Sequence, residues 1–189
     1  MDLLFENRDF TPADLPGKPL PKAEYDNCTF TGCDLSNTDL SGIIFTSCTF
    51  VSCNLSMARL SKTALREATF RDCKMLGPKF EECEELLFSV SFTNCQLNLS
   101  SFYARRMKKT LFSACSLREV DFTDADLTGS SLAGCDLSQA VFDNTNLEGA
   151  DLRTATGYLI DPQRNRIRKA RFSADGVAGL LTGFGILIE

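Results

Sequence analysis

The chain lacks histidine and tryptophan altogether. Without histidine there is no Ser–His or Cys–His dyad, no imidazole acid–base group and no His-ligated metal. No apolar run approaches the roughly 20 residues of a membrane span. The longest, VAGLLTGFGILI near the C-terminus, is too short and rich in glycine. The N-terminus carries acids where a signal peptide needs a basic start and an apolar run, so a cytoplasmic location is expected. The nine cysteines are an odd number and are expected to be reduced thiols rather than a disulfide framework. Net charge is -5, from 20 basic and 25 acidic residues, which argues against a general nucleic-acid binder. With 189 residues and 43% hydrophobic content, the chain can bury one core.

A five-residue period runs through the chain. Tyr25, Phe30, Leu35, Leu40, Phe45, Phe50, Leu55, Leu60, Leu65, Phe70, Met75 and Phe80 are all large and apolar. The phase slips by two across EECEELL. It then resumes at Leu87 and continues through Phe92, Leu97, Phe102, Met107, Phe112, Leu117, Phe122, Leu127, Leu132, Leu137, Phe142, Leu147 and Leu152. Two residues before these centres sits a smaller residue, including Cys28, Cys33, Cys48, Cys53, Ala58, Ala68, Cys73, Cys95, Cys115, Ala125, Cys135, Ala140 and Ala150. In an α-helix, five-residue steps would spiral around every side; a simple strand has period two. The repeat is therefore the structural unit, with two residues facing in and three facing out.

ADLTG at 125–129, CDLSQ at 135–139, ADLRT at 150–154, CDLSN at 33–37 and CNLSM at 53–57 resemble the pentapeptide repeat family, with its pattern A-(D/N)-L-X-X. The resemblance implies an all-β solenoid, a right-handed quadrilateral β-helix with four repeats per twenty-residue coil. Residues twenty apart should stack, as Phe30, Phe50 and Phe70 would, and Phe102, Phe122 and Phe142. Cys33, Cys53 and Cys73 form one expected series, and Cys95, Cys115 and Cys135 another. Residues 25–152 make about 6.4 coils, a rod of roughly 31 Å at about 4.8 Å per coil.

Three segments follow. Residues 1–22, with Pro12, Pro16, Pro19 and Pro21, are expected to form an irregular first coil and cap. Residues 23–154 form the regular wall, with a phase break at 81–87 that reads as a bulge, a bend or a contact loop. Residues 155–189 hold a final coil, a short helix and a tail, expected as cap or dimerisation element. There Val177, Leu180, Leu181 and Phe184 fall at helical spacing, followed by Ile186, Leu187 and Ile188.

Candidate partner-binding residues are the acids of the break, Glu81, Glu82, Glu84 and Glu85, and those of the C-terminal half, Asp121, Asp124, Asp126, Asp136, Asp143, Glu148 and Asp151. Residues 119–161 hold nine acids and one base, a local sum of -8. Catalytic, cofactor and metal residues are not expected: there is no glycine-rich phosphate loop, no Cys-x-x-Cys pair, and a packed tube offers no cleft. One reading is a protein-interaction scaffold with an unidentified partner. The resemblance to quinolone-resistance (Qnr-like) members implies another. In that reading the rod mimics DNA and occupies the DNA-binding saddle of DNA gyrase or topoisomerase IV. Direct nucleic-acid binding and membrane association are not expected; a homodimer through the C-terminal tail is.

Overall fold

A computed structural model describes residues 3–15 and 19–186. The chain winds as a square tube, with parallel pairing between successive coils. Wall 1 begins as a four-stranded sheet of Leu4–Glu6 (β1), Glu24–Asp26 (β3), Ile44–Thr46 (β5) and Ala64–Arg66 (β7). Wall 2 is a seven-stranded sheet of Asp9–Phe10 (β2), Thr29–Thr31 (β4), Thr49–Val51 (β6), Ala68–Arg71 (β8), Val90–Thr93 (β9), Leu111–Ser113 (β10) and Ser131–Ala133 (β11). Isolated bridges build the other two. Asp34, Asn54, Lys74, Gln96, Ser116 and Asp136 lie in one row of wall 3. Asp39 with Arg59, and Lys79 with Ser101, Asp121 and Val141, lie in the matching row of wall 4. Pairing steps are twenty residues, as in Phe30↔Phe50, until the break, where Phe70↔Phe92 and Lys74↔Gln96 step by 22.

Why the period is five follows from backbone geometry. The residue two after each centre repeatedly adopts positive φ, as at Asn27, Ser47, Met57, Glu67, Ala104, Asp124 and Gly129, and turns the corner. Among the described residues none with positive φ is β-branched, in line with the steric cost of the left-handed region. The Asp or Asn before the centre accepts the N–H two residues on, as Asp126 does from Thr128 and Asn54 from Ser56. The consensus Asp is thus first a turn residue.

The bore is filled by aromatic columns. On wall 2, Phe10, Phe30, Phe50 and Phe70 stack at 4.8, 4.8 and 4.9 Å, and the column continues across the break to Phe92 and Phe112 at 5.2 Å per step. On wall 4, Phe80, Phe102, Phe122 and Phe142 stack at 4.4, 5.5 and 5.3 Å. Neighbouring columns meet edge to face, as Phe92 meets Phe102 at 6.0 Å. Both arrangements suit the aromatic quadrupole.

All nine cysteines are free and buried, facing into the tube. Their role is more than filling space. In many coils the small inward residue donates to the carbonyl of the preceding wall's centre, one coil below. Thr63 Oγ1 donates to Leu40 O at 2.8 Å, Thr145 Oγ1 to Phe122 O at 2.8 Å, and Cys53 Sγ to Phe30 O at 3.3 Å. Burial pushes the Cys48 and Cys83 thiols up to about 12, so both are neutral at neutral pH, and Cys48 donates to Tyr25 O at 3.3 Å.

Three expectations are corrected. Leu87 is not an inward centre: it is 68% exposed, at φ 60°, and neighbouring Leu86 is 65% exposed. The two cysteine series are one column, Cys33–Cys53–Cys73–Cys95–Cys115–Cys135, because the 22-residue step keeps Lys74 over Gln96. The C-terminal segment forms two 3₁₀ turns, Asp175–Leu180 and Thr182–Phe184, which scatter the apolar residues instead of gathering them on one face. Leu180 packs against the core, while Val177, Phe184 and Ile186 are exposed. Leu187 and Ile188 lie outside the described residues. Within residues 1–22, β1 and β2 already pair in register with the coil above, and Pro12–Asp14 forms a 3₁₀ turn held by Thr11 and Asp14. At the far end Gly157 and Pro162 leave centre positions empty. Tyr158 and Ile160 are buried instead, with Gly176 and Gly179 packed so closely on Tyr158 that a side chain at either would clash.

Candidate interaction surfaces

The break is a bulge at the corner from wall 4 to wall 1. Wall 2 and the phenylalanine columns pass it without interruption, whereas the wall 1 sheet ends at β7. With Leu87 turned outward, the bore loses a side chain there. Arg105, from the coil above, fills the place. Its Nε donates to Phe80 O at 2.8 Å, and its Nη2 donates to Glu81 O at 2.9 Å and to Cys83 O. Its guanidinium lies over the half-buried Phe88 ring at 4.9 Å. Arg105 is 5% exposed and has no salt-bridge partner among the described residues. A buried cation needs compensation. Three carbonyls and an aromatic face supply part of it, and the glutamates of EECEE surround the same corner. Sequence reading missed Arg105, although the signal was present: a long cation at a position otherwise held for small residues.

Four walls divide the acids of the C-terminal half. Bridges place Asp121 on wall 4 beside Ser101 and Val141, Asp126 on wall 1 beside Arg106 and Asn146, Asp136 on wall 3 beside Ser116, and Asp151 on wall 2 beside Ser131 and Arg171. Many are neutralised across coils. Lys108 lies 3.4 Å from Asp126, Arg118 lies 3.3 Å from Asp136, and Arg164 pairs with Asp143. Asp151 is held by Arg153 at 2.8 Å and Arg171 at 3.6 Å. The local sum of -8 over residues 119–161 therefore overstates the available charge, because Lys108, Arg118, Arg164 and Arg171 enter from outside that stretch.

What the structure does gather is wall 4. It carries Glu81 and Glu82, then Tyr103, then Asp121, Asp124 and Asp143, on successive coils. Glu82, Tyr103 and Asp124 are exposed, and Asp124 accepts from Asn144 Nδ2 at 2.6 Å. Glu84 and Glu85 stand exposed at the adjoining corner, next to Leu86 and Leu87. Glu148 is separate, on wall 1. Wall 4 is not uniformly acidic: Arg59, Lys62 and Lys79 precede Glu81 along it.

Several turn carboxylates are held below their ordinary range. Hydrogen bonds from Ser138, and then Arg118, lower Asp136. Partial burial acts to raise Asp126, but the Thr128 hydroxyl and N–H and the Lys108 charge outweigh it. Arg153 lowers Asp151 to about 2. A depressed folded value contributes stability above the unfolded value, near 3.8, that is lost as pH falls through the folded one. Thermal unfolding should change little from pH 7 to 5 on account of these groups and fall between about pH 4 and 2. Asp151→Asn should flatten that descent in a calorimetric pH series.

Among the described residues no helix is long and apolar enough to cross a membrane. A family described as a pentapeptide repeat region matches residues 23–85 and 78–152. No curated protein matches the sequence. Two trypsin-treated forms of QnrB1, a plasmid-mediated fluoroquinolone resistance protein, share the fold with TM-scores of 0.64 and 0.64. They are 19% and 20% identical and cover 100% of this chain and 100% and 99% of their own. HetL, a pentapeptide repeat protein involved in heterocyst differentiation regulation from the cyanobacterium Nostoc, is 21% identical over 93% of this chain and 89% of its own, with a TM-score of 0.47.

Proposed function

This chain belongs to the pentapeptide repeat family, and we propose that it is a non-enzymatic scaffold whose fourth wall recognises a basic surface on a protein partner. The observation that carries this reading is the run Glu81, Glu82, Tyr103, Asp121 and Asp124 along one flat wall, which Asp143, paired with Arg164, closes. Carboxylates there frame an exposed aromatic ring. Such a surface steers a positively charged partner and gives it an apolar anchor. Glu84 and Glu85, with exposed Leu86 and Leu87, extend the contact around the corner. Nine free thiols suit a reducing, cytoplasmic setting.

A second reading follows from the same wall: an anionic strip on a rod of QnrB1-like fold, seated in the DNA-binding saddle of gyrase or topoisomerase IV. The bases Arg59, Lys62 and Lys79 on that wall favour the scaffold over an uninterrupted DNA mimic. Supercoiling by purified gyrase, with and without ciprofloxacin, separates the two. An unchanged supercoiling rate and drug response removes the topoisomerase reading. If gyrase is the partner, Asp121→Lys with Asp124→Lys should weaken the effect at least tenfold at low salt, with Glu148→Lys on wall 1 nearly silent. A loss of equal size from all three positions points to overall charge, not to this wall.

The exposed Val177, Phe184 and Ile186 near the C-terminal end support a homodimer through the tail. Light scattering at micromolar concentration should give twice the chain mass of 20.8 kDa. Phe184→Asp with Ile186→Asp should return it to the monomer value; a wild-type monomer ends the proposal.

A further inference from the structure

The C-terminal end of the tube is a step. Walls 1 and 2 carry one further rung, since Arg166 bridges Asn146 and Arg171 bridges Asp151. Wall 3 stops at residues 155–159, where Thr156 bridges Asp136. Twenty residues on, where its next rung would run, Asp175–Leu180 leaves the ladder as a 3₁₀ turn. The turn touches the tube again at Ile160, whose N–H donates to Gly179 O at 2.9 Å.

The last rung of wall 3 therefore has a free edge. Two coils lower, Leu117 and Glu119 donate their N–H groups to Asp136 O and Ser138 O, and Cys115 O accepts the Asp136 N–H. The same groups on the last rung are the Gly157 and Leu159 N–H and the Ala155 carbonyl. Among the described residues none of the three has a backbone partner. A slot of about 530 Å³ lies between this rung and the turn. Gly157, Tyr158 and Leu159 line one side and Ser173, Asp175 and Gly179 the other. Tyr158 is 4% exposed, and its hydroxyl is buried without a hydrogen-bond partner. An open strand edge is a template for another strand, and an unpaired buried hydroxyl is costly. Charge at the slot is small, because Asp151 holds Arg153.

We propose that an extended segment of a partner protein completes wall 3, adding in parallel as its next rung. Its carbonyls receive the Gly157 and Leu159 N–H, and one of its N–H groups reaches Ala155 O. Main-chain bonds of this kind supply affinity, and alternate side chains supply specificity. The segment carries a small residue over Ala155 and an apolar one over Gly157, which leaves its own centre position empty. This contact lies at the end of the rod and does not depend on wall 4.

The probe is a synthetic peptide of residues 133–139, AGCDLSQ, itself a wall 3 rung. Added to the full chain, it should shift the amide resonances of Gly157 and Leu159 and slow their hydrogen exchange. Leu159→Ala should keep wild-type affinity, because the main chain is what binds. Leu159→Pro, which removes one free N–H at an exposed residue, should weaken binding at least tenfold. The same peptide N-methylated at Asp136 should bind at least tenfold more weakly, and this decides even if the proline variant unfolds. No shift at millimolar peptide, equal binding of the N-methylated peptide, or shifts on wall 4 instead overturns the proposal. Slow exchange at Gly157 and Leu159 before peptide is added also overturns it. The slot would then hold the chain's own tail or that of a second copy.

Discussion

Phe102→Ala should lower stability by about 3–5 kcal/mol, the range for a fully buried phenylalanine whose cavity cannot collapse. The ring is fully buried. It stacks on Phe80 at 4.4 Å and Phe122 at 5.5 Å, and meets Phe92 at 6.0 Å and Phe112 at 5.9 Å edge to face. Backbone ladders on both sides hold the coil spacing, so the wall cannot close on the hole. For a chain of this size each kcal/mol moves the melting temperature by about 2–4 °C, so a drop of roughly 10 °C is expected. Phe102→Leu should recover most of it, since leucine fills the same inward place in wall 4 at Leu40 and Leu60. Phe184→Ala, at an exposed ring, should stay within about 0.5 kcal/mol when measured on the monomer. Equal effects at 102 and 184 would show that the column does not hold the tube together.

Arg105→Ala should cost about 3 kcal/mol or more. It removes the donor to three carbonyls; Phe80 O keeps the Cys83 N–H, while Glu81 O and Cys83 O lose their arginine donor, at roughly 1–3 kcal/mol for each buried acceptor left without a partner. It also opens the bore where Leu87 has turned out. Arg105→Lys should not rescue, because an ammonium cannot reproduce the planar fork that reaches Phe80, Glu81 and Cys83 together. Arg105→Met should recover packing but not hydrogen bonds, and so fall between. Amide hydrogen exchange gives the sharper readout. Residues 81–90 should lose protection in Arg105→Ala while β10 and β11 keep theirs. Uniform loss along the tube would mean that the arginine does not act locally.

The two predictions differ in how visible their sites were. Phe102 is one of an unbroken series, and its stacking partner Phe122 lies twenty residues on, so its place could be read from the period alone. The wall 2 and wall 4 columns likewise followed from repeated phenylalanines. Arg105 could not be placed that way. Its side chain reaches back across the two-residue insertion, and the insertion moves its partners out of the regular register.

The acids were misleading for a related reason. Asp126, Asp136, Asp143 and Asp151 are close in sequence, and their summed charge suggested one acidic surface. Five residues is one wall of the square, so acids at successive repeats face different directions. Each also meets a base from a neighbouring coil about twenty residues away, as Asp136 meets Arg118.

By itself the sequence determined the solenoid, its twenty-residue coil and the inward-facing series. Each of these depends on a local steric rule: a left-handed corner residue, a large centre and a small companion, repeated every five positions. Only the tertiary structure decided that Leu87 faces solvent, that Arg105 fills the bore and that six cysteines form one column. It also decided which carboxylates share wall 4 and which are neutralised. Those outcomes depend on the register between coils, a non-local quantity that a two-residue insertion resets and that no single repeat encodes.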